Sequence, residues 1–308
     1  ATRDNRNSIE YRLDGAGRFA LRRTDKKLTK KKVCVVGGVA GGASFAARMR
    51  RNDEAAEIII FEKGAYVSFA NCGMPYYIGG VIEERDNLLI QTPEKFKGRY
   101  NVEVRLRSEV TAVDAGKKSI MVNGPDGRYE ESYDYLVLAP GAKPVKPPIP
   151  GIESEKVMSL RSIEDMDHIR QKIDENGMNN VAVIGGGFIG LEMAENLRFR
   201  DCRVSLVELA DQVFLPFDKE MAEVLHRHLR INGVELYLGD GATEFREDED
   251  APLTIHLKSG SKLSCDGALC AIGVRPDTAF LKESGITLDD RGAIVVDQSM
   301  KTSFPGVF

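Results

Sequence analysis

The chain has 308 residues, 42% hydrophobic and 29% charged, with a formal net charge of −4. That length suits about two domains of ~150 residues each, and the balance is that of a globular protein. The slight negative charge argues against nucleic acid as the main partner, and no apolar run approaches the ~18 residues of a membrane span.

Residues 1–31 read as a flexible basic arm. Over 1–32, eleven Lys/Arg face four acids, so this end carries +7 and the remainder −11. A solvated arm is the expectation, with a docking arm or targeting remnant as the alternatives. No apolar h-region is present, so it is not a secretory signal. The five cysteines, Cys34, Cys72, Cys202, Cys265 and Cys270, are too scattered for a disulfide scaffold. They point to a reducing compartment, hence the cytoplasm, or a mitochondrion or plastid if the arm is a targeting remnant.

Ordered structure is expected to begin at "KVCVVGGVAGGASFAARMRRN". Val33–Val36 is a continuous apolar run, as in a strand buried on both faces. Glycines follow, then a helix reaching Arg51, then a strand "EIIIFE" ending in Glu62. This strand, glycine turn, helix, strand and acid form a dinucleotide-binding unit. Next comes "YVSFANCGMPYYIGG", with the single thiol of Cys72 just before Met74-Pro75, where proline suits a helix's first turn. A cysteine at a helix N-terminus has its thiolate stabilised. "NGPDG" marks a hairpin turn feeding a last buried strand at Tyr135–Ala139, and the prolines of "AKPVKPPIPG" make a stiff domain crossing. Ser162 with Asp165 starts a helix.

The unit then recurs as "NVAVIGGGFIGLEMAENLRFRDCRVSLVE". Gly185, Gly187 and Gly190 keep G-x-G-x-x-G spacing, and Glu208 follows Gly185 by 23 residues, as Glu62 follows Gly37 by 25. In the first copy Gly37 and Gly42 are the outer glycines, Val39 takes the middle place, and Gly38 and Gly41 are off-register. Such turns bring backbone N–H groups to a pyrophosphate, and the acid binds a ribose. Glu208 repels a 2′-phosphate, which favours NADH over NADPH at the second site and leaves the first for a flavin. A helix near Asp218–Asn232 and short strands through "LTIHL" and "GALCAIG" complete the reading. Cys265 and Cys270 have C-x4-C spacing but read as core-strand residues. His168, His226, His228 and His256 lack metal spacing and receive no role.

The motifs "VVGGVAGGAS", "FEKGAYVSFANCGMPYYIGG", "LVLAPGAKP", "VIGGGFIGLEMAENL" and "AIGVRPDT" resemble those of flavoprotein pyridine nucleotide–disulfide oxidoreductases, over Lys32 to Phe308. They are similar to the single-cysteine branch of coenzyme A-disulfide reductases and NADH-dependent persulfide reductases. Tyr77 stands where a second redox thiol would complete C-x4-C, and Ala40 where NADH oxidases and peroxidases carry a histidine. The resemblance implies an α/β fold of two Rossmann-like, three-layer ββα dinucleotide-binding domains, the NAD domain inserted in the FAD domain. The divisions are 32–150 and 269–308 for FAD, and 151–268 for NAD(P)H. It implies catalysis by Cys72 with Ser68 and Asn71. FAD contacts fall on Gly37, Gly38, Gly42, Glu62, Lys63, Pro75, Val110, Ala139 and Gly141. NADH contacts fall on Gly185, Gly187, Phe188, Ile189, Gly190, Glu192, Glu208 and Gly273, with Phe188 covering the flavin. Arg48 and Arg51 would hold the phosphates of coenzyme A, the substrate being a coenzyme A disulfide or persulfide. A homodimer is also implied, through a C-terminal domain expected beyond "TSFPGVF". The alternatives are an NADH oxidase or peroxidase with sulfenic Cys72, and a structural or nucleotide-sensing subunit.

Overall fold

The computed structural model describes residues 9–13, 19–23, 30–247 and 251–308. Within the basic arm Ile9–Leu13 pairs antiparallel with Phe19–Arg23; its residues 1–8, 14–18 and 24–29 lie outside the described residues. No helix among the described residues is long and apolar enough to cross a membrane.

Two parallel sheets organise the chain. The first runs Glu103–Arg105, Glu57–Phe61, Lys32–Val36, Tyr135–Leu138. Its two central strands are the apolar runs "VCVV" and "IIIF", buried on both faces as a parallel sheet requires. The chain returns to this sheet at its end. Leu136 bridges Val307 in parallel, and the Leu138 amide donates to the Phe308 carbonyl at 2.7 Å. The second sheet has five parallel strands, in the order Val157–Met158, Gly267–Cys270, Asn180–Ile184, Arg203–Glu208, Val234–Leu238. Its sequence lies wholly between the first sheet's strands and that return, so the second unit is inserted in the first. Each unit also carries a three-stranded antiparallel sheet.

The expected boundary between residues 268 and 269 falls inside the strand Gly267–Cys270. That strand pairs with Asn180–Ile184 on one side and Val157–Met158 on the other. A division there would cut a strand that is paired on both sides.

Among the described residues there are six helices: α1 (Gly41–Asn52), α2 (Met74–Gly79), α3 (Pro93–Tyr100), α4 (Ile163–Asp174), α5 (Phe188–Phe199) and α6 (Lys219–Ile231). α4 starts with a full capping box: Ser162 Oγ accepts from the Asp165 amide at 3.2 Å, and Asp165 Oδ2 accepts from the Ser162 amide at 2.9 Å. α2 belongs by sequence to the first unit but packs on the second. Its Met74 and Ile78 share one buried cluster with Ile163, Met166, Met193 and Leu197. Gly79 allows this approach, since a Cβ there would lie 2.2 Å from Asn196 Oδ1 of α5.

Candidate active site

The two glycine turns repeat each other bond for bond. Gly37 N donates to Phe61 O and Gly185 N to Val207 O, each at 2.8 Å. Glu62 accepts from the amides of Gly38 (2.7 Å) and Gly64 (2.8 Å); Glu208 accepts from those of Gly186 (2.6 Å) and Ala210 (2.8 Å). Gly37 and Gly185 have φ of +91° and +108°, the left-handed region that favours glycine. A Cβ on Gly42 would lie 1.8 Å from Gly37 O, and one on Gly190 1.9 Å from Gly185 O. Gly38, off-register in the motif, has its own reason: its Cβ would meet Val67 at 2.9 Å, as one on Gly186 would meet Val213. The repeat continues into the next loop. Ser68 and Phe214 both have φ near +50°, and their amides donate to Gly38 O (2.9 Å) and Gly186 O (2.8 Å).

Beside the second turn opens a cleft of about 720 Å³, lined by Gly185–Ile189, Glu208, Phe214–Pro216 and Ile272–Val274, with Pro144 and Pro147 of the proline-rich crossing on its wall. Gly187 is exposed at its mouth. Its φ is −82° and a Cβ would meet nothing within 4 Å, so the fold itself does not demand glycine there. Gly273 lines the same cleft with φ +113°. Phe188 is 68% exposed and stands edge-on to Phe214, ring centroids 4.5 Å apart. Among the described residues the only charged ones lining it are Glu208 and Asp240, so none of these offers a cation to a 2′-phosphate. The cleft fits an NADH-like dinucleotide.

The first cleft, about 330 Å³, lies between Gly37, Glu62, Lys63, Val110, Pro140 and Asp277. A bulge at Thr111 interrupts the ladder beside Val110. Lys63 closes one side by pairing with Asp277. Ala139 and Gly141 (φ +71°) form the loop above Gly37. The glycine turn, acid and cleft fit a second nucleotide.

Cys72 sits between these units, on the 3₁₀ turn Asn71–Gly73 that leads into α2. Pro75 is in the first turn of that helix. A Cβ on Gly73 would lie 2.3 Å from Leu88 Cδ2, so the turn is pressed onto the loop beneath it. With its amide oriented to satisfy both ends, Asn71 donates to Phe69 O at 3.2 Å and accepts from Arg161 Nη1 at 3.1 Å. Arg161 Nε also donates to Ala142 O at 2.7 Å, which ties the cysteine turn to the Ala139–Ala142 loop. At the other end of α2, Arg170 Nη1 donates to the Tyr77 carbonyl.

Of the five cysteines, all free, only Cys72 is exposed. Burial pushes the thiols of Cys34 and Cys265 up to about 12 and raises those of Cys202 and Cys270. At pH 8 about 10⁻⁴ of a thiol with a pKa near 12 is thiolate, the reactive form. Brief iodoacetamide treatment of the native protein at pH 8 should therefore label Cys72 alone. Peptide mass mapping checks this, and equal labelling of Cys265 or Cys270 would contradict their place in the core.

The remaining expected residues divide. Arg48 and Arg51 are exposed on α1 without an ion pair among the described residues. Arg50 between them is structural, donating to the carbonyls of Tyr100, Ala56 and Asn101. Glu192 does not line the second cleft; it lines a groove between α5 and α6, where burial and then Glu195 push its carboxyl pKa up. Arg161, Asp277, Phe214 and His226 were not anticipated. Asp277 lies within the quoted "AIGVRPDT", but its partner Lys63 is 214 positions away; no local motif marks the other three.

Residues 31–308 match the pyridine nucleotide-disulphide oxidoreductase family. The coenzyme A disulfide reductase of Staphylococcus haemolyticus is 34% identical over 280 residues, 90% of this chain and 62% of the relative. Among solved structures, reduced CoADR-RHD of Bacillus anthracis is similar with a TM-score of 0.87 and 47% identity, over 91% of this chain and 50% of the other. The NAD-dependent persulfide reductase of A. fulgidus gives 0.86 and 36%, over 90% and 52%. The chain thus spans 62% or less of each of these relatives. With a match across nearly all of its length, the chain belongs to the pyridine nucleotide-disulphide oxidoreductases.

Proposed function

We propose that this chain carries the nucleotide-binding and thiol part of an NADH-dependent flavoprotein reductase acting on coenzyme A disulfide or a related persulfide. The observation that carries this reading is one exposed thiol, Cys72, on a first-unit turn that leads into α2, the helix that packs on the second unit. FAD belongs to the first cleft, with Glu62, Lys63 and the Gly37–Gly42 turn as its holders. NADH belongs to the second, where Glu208 and the lack of a cation among the described lining residues disfavour NADPH. We place the division of the first and second units near Pro150 and after Cys270.

Cys72 thiolate attacks the substrate disulfide, forms a mixed disulfide with one half, and releases the other half as a thiolate. When bound, NADH and FAD supply the two electrons that release the second thiol and restore Cys72. Asn71 and Arg161 hold the cysteine turn, and Leu88 supports it from below. The exposed Arg48 and Arg51 offer fixed positive charge to a phosphorylated thiol such as coenzyme A. A lone cysteine suffices because the substrate brings the second sulfur. A homodimer of the complete protein is part of this proposal.

The test is the visible spectrum of the chain after incubation with FAD and removal of excess, followed anaerobically through NADH addition. Retained flavin bands that bleach with NADH and return with coenzyme A disulfide are expected. Bands that return only on admitting oxygen indicate an NADH oxidase instead. A protein that retains no flavin and binds no NADH overturns the reading.

A further inference from the structure

We infer that His226 is the positioning residue of the second cleft: its imidazole holds Val213, and with it the Phe214–Phe217 wall, against the glycine turn. This rests on reading that cleft as the NADH site. His226 lies on α6 and is 1% exposed. Its Nε2 is 3.1 Å from the Val213 amide, which can only donate, so Nε2 accepts and the ring proton sits on Nδ1. That nitrogen faces Glu223 Oε1 at 3.0 Å. The imidazole therefore joins α6 to the backbone of the loop behind the cleft.

What the loop carries makes this bond matter. Val213 is fully buried, and its side chain packs where a Cβ on Gly186 would stand. The next residue, Phe214, sits in a left-handed conformation with its amide on Gly186 O and its ring against Phe188 and Phe217. Gln212 Nε2 donates to Phe217 O at 2.8 Å and closes the loop on itself. Among the described residues the only other polar tie between α6 and this loop, Lys219 to Asp211 at 2.8 Å, is exposed and so worth little. In the first unit Val67 packs on Gly38 in the same way, yet the helix before that unit's next parallel strand, α3 ("PEKFKGRY"), holds no histidine. The His226 bond is thus particular to the second cleft.

The test compares His226→Phe, which keeps a ring but loses the acceptor, with His226→Gln, which keeps an acceptor near the Nε2 position. NADH affinity is read from the fluorescence of NADH titrated with each full chain, and amide exchange is followed over Val213–Phe217. A buried amide left without its partner should raise the NADH Kd about tenfold in His226→Phe and speed exchange of this loop by about the same factor. His226→Gln should stay within about threefold of the parent in both. A phenylalanine variant with unchanged affinity and exchange overturns the inference, as does a glutamine variant equally impaired. The parent chain gives an independent check if either variant does not fold: a Val213 amide that exchanges as fast as an unstructured one also overturns it. If the parent binds no NADH, the reading of the cleft falls, while amide exchange still decides whether His226 holds the loop.

Discussion

Cys72→Ser is expected to lower NADH-dependent reduction of coenzyme A disulfide by about 10³-fold or more, with a melting temperature within about 2 °C of the parent. The two halves have separate physical causes. A serine hydroxyl is not ionised near neutral pH and forms no mixed disulfide, so the sulfur exchange has no first step. The fold, by contrast, loses little, because Cys72 is exposed on its turn and the turn is held by Asn71, Gly73 and Pro75. The measurement is anaerobic NADH consumption with FAD and coenzyme A disulfide, beside a thermal melt. Retention of the full disulfide-dependent rate by the serine variant would mean that the substrate does not react at Cys72. Loss of the melt together with the rate would mean the thiol is structural, contrary to its exposure.

Gly187→Ala and Gly190→Ala should separate ligand from fold within one glycine turn. A Cβ at position 190 would lie 1.9 Å from Gly185 O and 3.0 Å from Gly185 C, both backbone atoms that cannot rotate away. A loss of about 3 kcal/mol or more is expected, seen as an earlier denaturant midpoint. Position 187 has φ −82° and no atom within 4 Å of an added Cβ, so alanine should cost less than about 1 kcal/mol. Its effect should fall on NADH, with Kd raised about tenfold or more as the methyl stands where a pyrophosphate approaches. Denaturation and NADH titration of both variants check this. A Gly187→Ala chain that binds NADH as tightly as the parent would place the dinucleotide away from this turn.

Features that arise from short stretches of chain are legible in the sequence. The runs "VCVV" and "IIIF", the glycine spacings, and the acids Glu62 and Glu208 all report one local event, a strand turning into a helix and followed by a second strand. The Ser162–Asp165 capping box is equally local. Cys72 was legible for the same reason, through the proline and glycines that shape its turn.

Features made by pairing over long distances were hidden. Lys63 and Asp277 are 214 positions apart and meet only because the chain returns to the first sheet after completing the second. The place of Gly267–Cys270 in the second sheet has the same origin, since strand order, and not composition, puts it there. Glu192 faces a groove whose other wall is α6, which no spacing on α5 could announce. His226, one of four histidines without a recognisable pattern, gains its partner only when α6 folds back beneath Val213. Local turn and strand chemistry can be written in a dozen residues. Which of those turns face one another across a cleft depends on how buried faces are matched when the sheets assemble.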